Sequence, residues 1–263
     1  PTGGLAATDT GITGGSEIEL MPGALSEDVN YKFPHLADLP ALEIPAGDLA
    51  LVPEILTGQI AVSAVDADDL SIDATGLQIP GVLDDLYAYN GDLGVTWDGD
   101  ILTIRVWAPT AKSVTFQLFA DSDPATTSTP IAMTLDPGSG VWSITGEANW
   151  KGQYYLFEVE VYVHSTGQVE HNMVTDPYSF SLAMNSARSQ LVDLNDAALK
   201  PDGWDTLQKP ALPAPEDTSI YEIHVRDFSV NDPSVPDELK GTYKAFTLED
   251  FNLFSQEIYK GTE

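Results

Sequence analysis

The sequence contains no cysteine, which excludes a disulfide framework and any thiolate metal site. Basic residues are scarce. Eleven Lys and Arg stand against 41 Asp and Glu, a net charge of −30 at neutral pH, and neither Lys nor Arg occurs between Lys32 and Arg105. Such a surface repels nucleic acid and anionic membranes and suits a neutral ligand, although solubility alone is the simpler reason for the acidity. No apolar run reaches membrane-spanning length, so no membrane-spanning segment is expected. No basic-then-apolar leader opens the chain, which starts at Pro1, and this reads as a processed or excised piece. A Gly-rich phosphate loop and a convincing nucleophilic triad are also lacking, and no cofactor is expected.

What is present is a folding composition, 43% hydrophobic, over a length that suits one large or two to three small domains. Residues 1–30 are rich in Gly, Thr, Ser and Ala without periodicity and read as a flexible linker or tail. Residues 31–90 form a plausible small domain in which Pro34, Pro40, Pro45, Pro53 and Pro80 limit helices to short pieces. Asp48 to Leu56 suggests one or two helical turns that Pro53 would interrupt. Ile60 to Val65 and Ser71 to Ile79 suggest strands joined by the acidic turn at Asp66 to Asp69. That turn lacks the spacing, turn glycine and terminal glutamate of a calcium loop.

Residues 91–195 carry the clearest pattern. Leu102, Ile104, Val106 and Ala108 alternate with Thr103, Arg105 and Trp107; Val114, Phe116, Leu118 and Ala120 repeat the period after a turn at Pro109 to Lys112. Val141 to Thr145 follows the turn Pro137-Gly138-Ser139-Gly140, and Tyr155, Phe157, Val159, Val161 and Val163 line one face of a long strand. Strands separated by turns, with no helical period between them, predict a mainly β fold with an immunoglobulin-like antiparallel β-sandwich of roughly 100 residues. His164 and His171 flank Gly167 in a predicted hairpin with no third ligand in view, so no metal site is expected.

Residues 196–218 hold a stiff connector with Pro210, Pro213 and Pro215. It leads into Ser219 to Ser229, Ser-Ile-Tyr-Glu-Ile-His-Val-Arg-Asp-Phe-Ser, where β-branched and aromatic density predicts a strand. There His224 and Arg226 share one face while Ile223 and Val225 share the other. Charge turned inward must be paired, which suggests a site or a polar barrel layer.

The run Tyr221 to Ser229 resembles the first barrel strand of pullulanase-type debranching enzymes of glycoside hydrolase family 13. Upstream, Val106-Trp107-Ala108-Pro109-Thr110-Ala111, Gly140-Val141-Trp142-Ser143, Gly152 to Val159, Asn172 to Ser179 and Asn185 to Asn195 resemble a family-48 carbohydrate-binding module. Leu77 to Asn90 is similar to the segment that follows the small N-terminal domain of bacterial pullulanases. Residues 219–263 would then be the first strand and loop of an incomplete (β/α)8 barrel, since a complete one needs about 250 residues. The paired carboxylates of glycoside hydrolysis lie on later strands in that family, so no catalytic residue is assigned and the chain is expected to be inactive alone. Tyr221, His224, Arg226 and Asp227 are assigned to the polar barrel layer.

The resemblance implies the non-catalytic part of a secreted or periplasmic α-1,6-glucosidase. Its partners would be an α-glucan polysaccharide and the catalytic barrel of the same enzyme. A stand-alone α-glucan-binding module and an immunoglobulin-like spacer, the latter favoured if all five tryptophans are buried, are the alternatives. Sugars stack their C–H faces on aromatic rings, and the candidates for carbohydrate binding are Trp107, Trp150, Lys151 and Tyr154. A tryptophan in a small sandwich also suits the core. Trp142 is assigned there, while Trp150 stays open between core and platform.

Overall fold

The computed structural model describes residues 3–248, in two compact units divided between Lys200 and Pro201. In the N-terminal part of the first unit, β1 (Ala6–Thr8) pairs with β2 (Gly11–Thr13), β3 (Met21–Gly23) with β4 (Ala41–Glu43), and β5 (Ala61–Val65) with β6 (Ser71–Gly76), all antiparallel. Helix α1 (Glu27–Lys32) is capped by Ser26, whose hydroxyl accepts from the Val29 amide. Pro53 lies in the first turn of α2 (Val52–Ile55), where a missing N–H costs nothing, and a 3-10 turn over Leu49–Leu51 precedes it. Helix α3 (Pro80–Leu86) leads out of this part.

The flexible tail expected over residues 1–30 is corrected here: β1, β2 and β3 fall within it and α1 begins there. The Leu5 amide donates to Gln59 Oε1 at 2.9 Å and the Ser71 amide to the Asp9 carbonyl at 2.8 Å, so β2 lies beside β5 and β6. Composition suggested a linker because little in the stretch is apolar, yet its backbone groups find partners far along the chain.

The sandwich comprises β7 (Gly94–Asp98), β8 (Ile101–Trp107), β9 (Ala111–Phe119), β10 (Thr129–Ala132), β11 (Thr134–Asp136), β12 (Val141–Gly146), β13 (Tyr154–Val163), β14 (Gln168–Val174) and β15 (Ser189–Gln190). One sheet runs β11-β12-β8-β7; the other runs β10-β9-β13-β14, with β15 on the start of β13. Every pairing is antiparallel. The period-2 alternation read from the sequence is the packing: Leu102, Ile104 and Val106 turn inward from β8, and Val114 and Phe116 meet Tyr155 and Phe157 from β9 and β13. Register sets Phe116 opposite Phe157 and Val106 opposite Trp142. Burying each such side chain stabilises the fold by roughly 1.5–3 kcal/mol.

On the other face of β9 and β13 a polar ladder replaces the apolar one. Gln117 Nε2 donates to Glu158 Oε2 at 2.6 Å, and the Ser113 hydroxyl to Glu160 Oε2 at 2.8 Å. The hairpin at Gly167 forms as expected between β13 and β14. In it His171 Nδ1 lies 3.3 Å from Glu158 Oε1, and the His164 ring stands edge-on to Tyr162.

In the second unit, 3-10 turns occupy Trp204–Thr206, Pro215–Asp217 and Tyr243–Thr247. The strand expected over Ser219–Ser229 does not form: residues 220–224 carry no ladder, and Val225–Ser229 is the single helical turn α4. A strand needs neighbours to satisfy its backbone, and no described residue supplies one; a local turn closes its own hydrogen bonds instead. Phe228 stacks on Phe246 at 4.1 Å, and the Ser229 hydroxyl accepts from the Gly241 amide. The part of the expected barrel segment over residues 249–263 lies outside the described residues. No closed barrel is present among those described.

Candidate functional site

The four candidate sugar-binding residues are distributed over three places. Trp107 ends β8 on the outer face of its sheet and lines a groove of about 370 Å³ with Asp84, Tyr87, Tyr89, Asn90 and Tyr178. Local chemistry builds this groove. The Trp107 indole N–H donates to the Tyr87 carbonyl at 2.9 Å, which fixes the ring against the segment after α3. Gly94 has φ +76°, and a Cβ there would stand 2.8 Å from Tyr178 Cβ, so only glycine lets β7 and Tyr178 approach. The Tyr178 amide in turn donates to Asp176 Oδ1 at 2.8 Å.

Asp176 is the buried anchor of this corner. Its Oδ2 accepts from the Tyr155 hydroxyl at 2.7 Å, and its amide donates to the Ser189 hydroxyl. Burial raises the Asp176 carboxyl above its ordinary value, against the lowering effect of the Tyr178 amide and the Tyr155 hydroxyl. Burial likewise pushes the Tyr155 phenol up, with the Asp176 charge acting the same way.

Trp150 and Lys151 stand at the opposite end of the sandwich, near the start of β8. The Trp150 ring stacks on Phe116 at 5.5 Å and 11°, and a Cβ at Gly146 would meet it at 2.5 Å. One face of this indole therefore belongs to the core. Lys151 Nζ lies 2.7 Å from Asp196 Oδ2 and 5.9 Å from the ring of Trp97, whose N–H donates to the Val192 carbonyl at 3.0 Å. The hydrogen bond to Asp196 raises the Lys151 ammonium, and the same bond holds the Asp196 carboxyl down. Tyr154 occupies a third place, on β13 between Phe119 and Gln190. Trp142 is buried, as the sequence indicated, and its N–H donates to the Ala108 carbonyl. Trp204 is exposed, so the condition that favoured a spacer protein is not met.

Two groups of residues escaped sequence reasoning. Tyr87, Tyr89, Asn90 and Tyr178 join Trp107 in the groove; the alternating aromatics of Leu86-Tyr87-Ala88-Tyr89-Asn90 at a domain junction were the available signal. Trp97 and Asp196 join Lys151 only through tertiary contact, which no spacing reveals. In the second unit the polar layer expected of Tyr221, His224, Arg226 and Asp227 is not assembled among the described residues. His224 Nδ1 lies 3.6 Å from Asp227 Oδ2, but both side chains face solvent, as do Tyr221 and Arg226. Among the described residues no neighbouring strand gives them an interior to line. Among the described residues no group of three His, Cys, Asp or Glu is placed to hold a metal ion, and no helix is long and apolar enough to cross a membrane.

Comparison with known proteins follows the same division. Residues 1–85 match the pullulanase N2 domain, and residues 92–179 match carbohydrate-binding module 48, also described as the isoamylase N-terminal domain. The chain is 39% identical over 252 residues to the chloroplastic pullulanase 1 of Arabidopsis thaliana, covering 94% of this chain and 26% of that protein. Identity to the pullulanase of Klebsiella pneumoniae is 42% over 247 residues, covering 90% of this chain and 22% of that protein. The crystal structure of the Klebsiella pneumoniae pullulanase complexed with maltotriose superposes with a TM-score of 0.82 at 38% identity, over 94% of this chain and 24% of that one. The Paenibacillus barengoltzii pullulanase complexed with maltohexaose and α-cyclodextrin gives a TM-score of 0.52 at 33% identity, over 64% of this chain and 24% of that one. The chain thus spans about a quarter of the length of the curated relatives it matches. It belongs to the pullulanase family and corresponds to the N-terminal region of those enzymes, an N2 domain followed by a family-48 carbohydrate-binding module.

Proposed function

We propose that this chain is the non-catalytic N-terminal region of a secreted or periplasmic pullulanase that hydrolyses α-1,6 branch linkages in pullulan, starch or glycogen, and that its module holds α-glucan in the groove around Trp107. The observation that carries the reading is the tandem match of an N2 domain and a family-48 module within one alignment to pullulanases over 94% of the chain. The groove adds the chemistry. The rings of Tyr89, Trp107 and Tyr178 offer apolar faces for sugar C–H groups above the buried Tyr87, and Asn90 and Asp84 offer polar groups for hydroxyls. Trp150 supports the reading less, because Phe116 already covers one of its faces. Tyr221, His224, Arg226 and Asp227 take up their polar-layer role once neighbouring barrel strands pair with residues 219–229.

The test is a reducing-end assay on pullulan with this chain and with the longer protein that contains it. Release of reducing ends by the longer protein alone is expected. Activity in this chain by itself, or cleavage confined to α-1,4 linkages by the longer one, would overturn the assignment.

A further inference from the structure

The segment Tyr178 to Met184 reverses the usual polarity of a surface strand. Its alternate members are tied back to the fold. The Ser179 hydroxyl donates to the Ser181 carbonyl at 2.9 Å and the Ser181 hydroxyl to Gln190 Oε1 at 3.0 Å. The Ala183 amide donates to the Arg188 carbonyl, and Leu182 forms an antiparallel bridge to Ser189. The intervening Tyr178, Phe180, Leu182 and Met184 point outward and are 44%, 50%, 45% and 84% exposed.

This is a held surface rather than a fraying loop. Buried Arg188 at its base donates to the carbonyls of Asp121, Asp123 and Thr126 and lies 3.8 Å above the Phe119 ring. Asn185 and Ser186 at the tip take positive φ of 58° and 56°, a conformation that non-glycine residues adopt at a cost. The backbone spends that strain to set Met184 at the apex. In a chain of net charge −30, no charged residue occurs from Pro177 to Ala187. A rigid, uncharged, apolar strip on so acidic a surface is built to be covered.

We infer that the strip Phe180-Leu182-Met184 is the surface of the module that packs against the remainder of the pullulanase polypeptide, while Tyr178 stays with the groove, an inference that rests on the reading above. Length supports this occupant: this chain covers about a quarter of the length of the matched relatives, which leaves about three times as much polypeptide outside the matched region. A second copy is the poorer fit, since two bodies of charge −30 repel. A sugar fits poorly too, because the serine hydroxyls of the strip are already engaged.

Peroxide oxidation followed by mass spectrometry tests the inference, because methionine oxidation tracks exposure. The four methionines supply their own scale, with Met133 buried and Met184 the most exposed. Measured against an added methionyl peptide, Met184 should be oxidised about fivefold more slowly in the longer protein than in this chain. Equal rates would overturn the inference, and so would protection that appears in this chain alone as its concentration rises, which would name a second copy as the occupant. Protection of Met184 in a longer protein that leaves pullulan intact would keep the interface and remove the assigned activity. Pullulan cleavage with Met184 equally reactive in both would do the reverse.

Discussion

The sandwich and the stretch Ile220–Ser229 carry the same local signal, and only one of them makes strands. In β8 and β13 the alternation ends in fully buried Leu102, Ile104, Tyr155 and Phe157. Ile220, in an equally β-branched setting, is 90% exposed. The difference is company: β8 has β7 and β12 beside it, and β13 has β9, β14 and β15. Residues 220–224 have no strand alongside among the described residues, so the chain turns into α4. Strand propensity describes how well a side chain fits a pleated surface and has little effect where that surface is missing.

Substitutions should widen this contrast in a definite order. Phe116→Ala, at the centre of the aromatic cluster with Trp150, Tyr155 and Phe157, should cost about 3–5 kcal/mol in denaturant unfolding of the sandwich. Tyr155→Phe leaves the buried Asp176 carboxylate without its hydroxyl donor and should cost about 1–3 kcal/mol by the same measurement.

A pH effect comes next. The folded Asp176 carboxyl lies above its unfolded value near 3.8, so its contribution to stability is fully present below that value and is lost as pH rises through the folded one. The stability of the wild type relative to Asp176→Asn should therefore rise as pH falls from 7 toward 4. Parallel profiles in thermal melts would show that Asp176 does not titrate in this way. The smallest effect belongs to Ile220→Ala, expected to change stability by no more than about 0.5 kcal/mol. A larger loss there would mean that residues 220–229 are packed in this chain after all.

Sequence reading reached the sandwich because one face of each strand is buried and the other is not, and a period of two is visible along the chain. It reached Trp142 for the same reason. It missed the order in residues 3–30, where β1 and β2 are short and polar and are held by backbone bonds to residues 59 and 71. At the groove it singled out Trp107 but not its neighbours, because Tyr87, Tyr89 and Tyr178 reach the groove from segments outside the strands. It left Trp150 open between core and platform, and the stack on Phe116 is a tertiary fact no local pattern carries.

The proposed seat of α-glucan in the groove around Trp107 is tested most directly by tryptophan fluorescence in a maltohexaose titration. The wild type and Trp150→Phe should show a saturable change, while Trp107→Ala, with its fold verified by near-ultraviolet circular dichroism, should lose about tenfold or more in affinity. A flat wild-type trace, or binding that survives in Trp107→Ala and vanishes in Trp150→Phe, would contradict that placement of the glucan.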